Sequence, residues 1–182
     1  MNSLKFSQDF YRYFGRECKN KDILKVIFNH ELRFNYFFRK YQNSNNKFLK
    51  LFYKIFIRQI RLKYGIEISP NTKIGKGFYV GHPFDITINP NVILGENVNI
   101  HKGVTIGQEN RGERKGTPII SNKVWIGVNS TIVGRIKIGN NVLIAPNTYV
   151  NRDIPDNSIV VGNPCKIIEN IEATKDYINN IV

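Results

Sequence analysis

The sequence predicts a mainly β protein: a parallel β-helix preceded by an α-helical arm and followed by a short C-terminal helix. Three observations lead there. Aliphatic residues recur every six positions: Ile68, Ile74, Val80 and Ile86, then, after a slip of two, Ile88, Leu94, Ile100 and Ile106. After a gap the ladder resumes at Ile120, Ile126, Ile132, Ile138, Ile144 and Val150. Glycine follows the rung at positions 75, 81, 95, 107, 127 and 139, with asparagine close by, and both residues tolerate the backbone of tight corners. Finally, the chain divides by chemistry: residues 1–64 hold 15 Lys/Arg against 4 Asp/Glu and 16 of the 22 aromatic rings.

The arm, residues 1–64, reads as helical. Phe48, Leu51, Phe52, Ile55, Phe56 and Leu62 follow helical spacing, with Lys50, Lys54, Arg58 and Arg61 mostly off that stripe. Shorter helices are expected around 5–15 and 21–41, and Asn43–Asn46 is the linker before the last one. The β-helix should occupy 65–168. A six-residue period fits neither a helix nor a simple sandwich, but it fits coils of three short strands, each rung pointing into a common bore. Residues 108–117 (QENRGERKGT) interrupt the ladder and read either as a disordered insertion or as a functional loop. Residues 153–157 form a turn, and 169–182 are expected to be the terminal helix.

The 182 residues carry a net charge of +13, and their 41% apolar content excludes wholesale disorder. Two cysteines, Cys18 and Cys165, make no disulfide framework and read as reduced thiols. Residues 1–18 lack the apolar core of a secretory signal, and no run of 18 apolar residues exists, so a cytoplasmic location is expected. The cationic, aromatic segment 48–64 could lie on the inner face of an anionic cell membrane, or pack against the β-helix or a neighbouring subunit; both remain open. Charge alone would also suit nucleic acid, but it is confined to the arm and no recognition motif accompanies it, so no nucleic-acid partner is expected.

The chain has three histidines: His30, His82 and His101. They are too sparse for a metal constellation, and no metal is expected; phosphate-loop and nucleophile-elbow motifs are absent from the sequence as well.

Residues 65–168 resemble the left-handed β-helix acyltransferases of the hexapeptide-repeat family. The segments that carry the resemblance are GIEISPNTKIGKGFYVGHP, NVILGENVNIHKGVTIG, NKVWIGVNSTIVG and IVVGNPCKII. The first two are similar to the serine acetyltransferase branch, and more similar to its relatives in capsule and surface-polysaccharide pathways. The resemblance implies a left-handed coil, a homotrimer, acetyl-CoA as donor and direct attack by an acceptor hydroxyl, with histidine as general base. His82 matches the catalytic histidine. Imidazole suits the task because a hydroxyl cannot attack a thioester unaided at neutral pH. Glu67 matches a carboxylate that pairs with the base, and Asp85 is a second candidate by closeness in sequence. His101 sits one coil from Gly81 and His82; it lines the same cleft or is a surface corner. On the donor side, Trp125, Gly127 and Ala145 match positions along the pantetheine arm, and Arg152 and Lys166 match cations that meet phosphates.

The serine branch carries an Asp just before its catalytic histidine and an Arg-His pair before the proline that closes the loop. Here those positions are Gly81 and Gly116-Thr117, before Pro118. A site lacking those charges leaves a zwitterion unpaired, so a sugar hydroxyl in polysaccharide biosynthesis is the expected acceptor, with serine O-acetylation of cysteine biosynthesis as the alternative.

Overall fold

The computed structural model describes residues 4–182. Four α-helices precede the solenoid: α1 (Leu4–Phe14), α2 (Ile23–Phe28), α3 (His30–Asn43) and α4 (Lys47–Tyr64). The helix expected over 21–41 is divided at Asn29, whose side chain accepts hydrogen bonds from the N–H groups of Glu31 and Leu32 and so starts a new helix. Asn46 caps α4 in the same way, through Phe48 and Leu49. Gly65, at φ 68°, ends α4 in the left-handed conformation that glycine adopts without strain.

Fifteen short strands follow, from β1 (Glu67–Ile68) to β15 (Lys166–Glu169). They stack into three sheets, β1-β4-β7-β10-β13, β2-β5-β8-β11 and β3-β6-β9-β12-β14-β15. Every pairing is parallel except β14 with β15. The fold is therefore a parallel β-helix with a helical arm. Ile68 pairs with Ile88, Val80 with Ile100 and Ile100 with Ile126, so the rungs stack coil upon coil. All of them are buried, as is a second inward ring at Ile66, Phe78, Ile86, Val92, Val98 and Val104. Ile86 belongs to that second ring, which is why the ladder slips from 86 to 88. A Cβ on Gly75, Gly95, Gly127 or Gly139 would meet backbone of an adjacent coil at under 3 Å, which accounts for glycine there, whereas Gly107 has room. Truncating one rung, Ile106→Ala, should lower unfolding free energy by about 2–5 kcal/mol, since the bore cannot collapse onto the lost volume; chemical denaturation measures it.

The arm closes the first coil. β3 lies at the outer edge of its sheet, where its backbone groups lack a neighbouring strand. Side chains from α1 and α3 take that place. Asp9 accepts from the Phe78 N–H, and Asn35 donates to the Phe78 carbonyl. The Tyr13 hydroxyl accepts from the Val80 N–H at 2.8 Å and donates to its carbonyl at 3.0 Å. Arg39, buried and 2.8 Å from Asp9, also donates to the Ile74 carbonyl.

Residues 170–182 form consecutive turns rather than the expected helix. Asp176 and Asn180 sit at φ 63° and 52°, which no α-helix accommodates. The segment is spent on tertiary bonds instead: Arg12 donates to the Asn179 carbonyl, and Asn97 and Asn99 donate to Val182 and Tyr177.

Candidate active site

The corner between β3 (Tyr79–Gly81) and β4 (Thr87–Ile88) is two residues longer than the regular repeat. Its surplus is taken up by two left-handed residues, His82 at φ 51° and Asp85 at φ 53°. The turn is tied by the Phe84 N–H donating to the His82 carbonyl, and Pro83 is buried beneath it. The His82 side chain is left exposed. A non-glycine residue held at positive φ commonly marks a functional position, because the fold must sustain the strain.

His101 lies on the neighbouring coil. Strand register places it beside Gly81, with both residues on the outward face. Its Nδ1 is 3.0 Å from the Ile126 carbonyl oxygen. A carbonyl can only accept, so Nδ1 carries the proton. The ring packs against Trp125 at 4.7 Å and faces Tyr79 at 6.3 Å between centroids. Burial pushes the His101 pKa below the ordinary value of 6.5; the bond to Ile126 and the Glu31 carboxylate oppose that shift, and His82 adds to it. Burial thus favours the neutral ring of His101, which belongs to the cleft of His82.

Each carboxylate expected to orient His82 has another neighbour here. Glu67 forms an ion pair with Arg61, with Nη2 to Oε1 at 2.6 Å, and lines a groove of about 780 Å³ between α4 and the β1–β4–β7 sheet. Asp85 packs on the α4 cap, where its Oδ1 would be 2.5 Å from a Cβ on Gly65. Among the described residues no hydrogen bond or ion pair joins either to His82. The carboxylate beside the cleft is Glu31, at the start of α3. It acts electrostatically on Tyr13, Tyr79 and His101. Glu31, Tyr13 and Tyr177 escaped the sequence reading because they come from the arm and the C-terminal turns. Only the density of rings in the arm hinted at them.

Trp125 stands between His101 and Tyr177, the latter ring 4.9 Å away. Gly127 donates its N–H to Ile144 and Ala145 donates to Val160, so both N–H groups are committed to adjacent coils and only carbonyl lone pairs remain for a ligand. Arg152 and Lys166 are exposed at the far coils, and no ion pair neutralises them among the described residues. Such free cations fit the phosphates of a coenzyme A. Residues 108–117 form an ordered excursion: Glu109 and Gly116 exchange two backbone bonds at 3.0 Å, and the Arg114 carbonyl accepts from Arg135. The excursion presents exposed Arg111, Arg114 and Lys115. His30 borders the His82 corner, 6.3 Å from Phe84 between ring centroids. Among the described residues there is no cluster of side chains that could hold a metal.

Residues 117–152 match the family described as bacterial transferase hexapeptide (six repeats). Over those residues the chain is similar to hexapeptide-repeat transferases. Its curated relatives include serine acetyltransferases from Synechococcus elongatus, 35% identical over 108 residues, and Staphylococcus aureus, 38% identical over 105. These matches cover 59% and 58% of this chain but 44% and 49% of the relatives, so the chain spans less than half of their length. Among solved structures, the Neisseria gonorrhoeae serine acetyltransferase in complex with serine superposes with TM-score 0.69 at 25% identity, covering 90% of this chain and 67% of that one. The soybean enzyme complexed with serine gives 0.60 at 25% identity, covering 82% and 58%. Over the matched residues these coils are similar to serine acetyltransferases.

Those relatives overturn the sugar acceptor and the capsule assignment, which rested on charges absent from positions 81, 116 and 117. The space outside Gly81 is filled by the His101 ring, and cations stand elsewhere on the loop, at Arg111, Arg114 and Lys115.

Proposed function

We propose that this chain transfers the acetyl group of acetyl-CoA to the hydroxyl of serine, working as a homotrimer with clefts between subunits. The observation that carries this reading is the exposed His82 imidazole, held on a strained corner of a β-helix similar to serine acetyltransferases. His82 takes the hydroxyl proton as the oxygen attacks the thioester carbonyl. The C–S bond then breaks, and the proton passes to the departing thiolate. A backbone N–H of the cleft stabilises the tetrahedral oxyanion. Trp125 and the carbonyls of Gly127 and Ala145 line the pantetheine path, and Arg152 and Lys166 meet the phosphates. Arg111, Arg114 and Lys115 are the cations available to the serine carboxylate. The test is release of free CoA by purified protein from acetyl-CoA and L-serine. Serine-dependent release is expected; no release with serine, despite acetyl-CoA binding, would overturn this acceptor.

The arm supports a further partner, an anionic lipid surface. α4 carries six Lys/Arg and no Asp or Glu. Only Ile57 and Ile60 of its side chains are buried, while Phe48 is 85% exposed, Leu62 72% and Leu51 58%. The outward apolar row thus does not serve the β-helix core, and the cations beside it favour anionic headgroups over a second cationic copy. Among the described residues no helix is long and apolar enough to cross a membrane, so contact would be at the surface. Phosphatidylglycerol vesicles should sediment the protein, phosphatidylcholine vesicles should not, and Phe48→Ser/Phe52→Ser should abolish sedimentation. A loss of self-association in that variant, without any vesicle binding by the parent, would assign the face to a second copy instead.

A further inference from the structure

Position 81 shows how this site differs from a carboxylate-bearing one. A Cβ on Gly81 would lie 2.6 Å from Cδ2 and 2.8 Å from Nε2 of His101. No side chain fits there while the His101 ring stays in its slot. Gly81 and His101 are therefore a matched pair: the glycine opens the space outside β3, and the ring edge from β6 fills it. The ring cannot turn freely. Nδ1 is held by the Ile126 carbonyl, Trp125 packs on one side and Tyr79 lies on the other.

Consequently Nε2 points over Gly81, next to His82, as a fixed lone pair. Among the described residues it has no hydrogen-bond partner, although its sister nitrogen has one. Burial keeps the ring in its neutral form, in which Nε2 accepts rather than donates. An acceptor left open beside an exposed imidazole base can take a donor from a ligand. Of the groups on serine, the hydroxyl proton goes to His82 and the carboxylate only accepts. The ammonium is the remaining donor, and Glu31 adds negative potential on the same side.

We infer that His101 Nε2 binds the ammonium group of the acceptor, fixing a small hydroxy-amine beside His82 in place of the carboxylate that Gly81 lacks. This rests on the serine reading above. It makes His101 a specificity residue that touches substrate, and it makes the amine, rather than the hydroxyl alone, the recognised feature.

The test compares L-serine with 3-hydroxypropionate, which keeps the hydroxyl and carboxylate but has no amine. Free CoA release is followed for the parent, His101→Phe and His101→Gln. Phe fills the slot without an acceptor nitrogen. Gln can donate to Ile126 and still present an oxygen. His101→Phe should raise the serine KM by roughly tenfold to a hundredfold, the worth of one hydrogen bond to a charged group, and leave the acetyl-CoA KM unchanged. It should also erase the preference for serine over 3-hydroxypropionate, whereas His101→Gln keeps most of that preference. If His101→Phe fails to fold, His101→Leu takes its place: a lost preference for serine supports the inference and a parental one sinks it. A folded His101→Phe with parental serine KM and preference overturns the role of His101 while leaving serine acetylation standing. A parent inactive with serine removes both.

Discussion

His82→Ala should lower the turnover of acetyl-CoA with serine about a hundredfold or more, the usual loss when a positioned acid–base group is removed. The size follows from the chemistry. An alcohol is too weak an acid to supply alkoxide at neutral pH, so the proton must leave as the new bond forms, and an imidazole titrates in the right range. The geometry adds that His82 is free to act. Its side chain is exposed, it has no carboxylate partner among the described residues, and two extra residues at its corner hold it clear of the coil. His101 is held differently: its Nδ1 proton is committed to Ile126 and its Nε2 lies over Gly81. Free CoA release measures the loss, and circular dichroism with thermal melting confirms that the variant is folded. Parental turnover in a folded His82→Ala protein would take His82 out of the mechanism.

The second large effect is on stability. Arg39→Leu should cost about 3–5 kcal/mol, because it leaves the buried Asp9 carboxyl without its counter-charge. Both side chains are fully buried, so water cannot replace the missing partner. The loss should also depend on pH in a defined direction. Burial raises the Asp9 pKa above 3.8, while Arg39 and the Phe78 N–H oppose that shift. Without Arg39 the folded carboxyl is held protonated still further up the scale, whereas the unfolded one ionises near 3.8. A raised carboxyl pKa means that the folded state binds more protons, so stability is lost as pH rises from the unfolded pKa through the folded one. Denaturation of Arg39→Leu at several pH values should show a deficit that grows above about pH 4. Arg39→Leu/Asp9→Leu should recover part of it. An equal deficit in the single and double variants would mean that lost packing, not the stranded carboxyl, sets the cost.

The solenoid was legible because its signal is periodic. Each rung from Ile68 to Val150 repeats one demand, a buried aliphatic side chain every sixth residue, and the slip at Ile86 and Ile88 marked the long corner that bears His82. The amphipathic spacing of α4 was legible for the same reason. What repeats nowhere was missed. The break before α3 depends on one asparagine cap. The turns after residue 170 depend on Asn97, Asn99 and Asn141 far back in the chain. Glu67 matches, by resemblance, a carboxylate that pairs with the base, and nothing in the sequence showed that Arg61, six residues earlier, bonds to it. The acceptor was misread because a bare glycine at 81 looked like a lost function, whereas the group occupying that space arrives from the next coil.

The coverings at the two ends of the solenoid also bear on how it can grow. At one end Asp9, Tyr13 and Asn35 occupy the backbone groups of β3. At the other, β15 runs antiparallel against β14 and breaks the stacking direction. A stack of parallel coils is otherwise an open-ended template, on which another chain could add strand by strand into a fibre. The helical arm therefore acts as a terminator of polymerisation, and the finite length of the particle is a property of side chains lying outside the repeat.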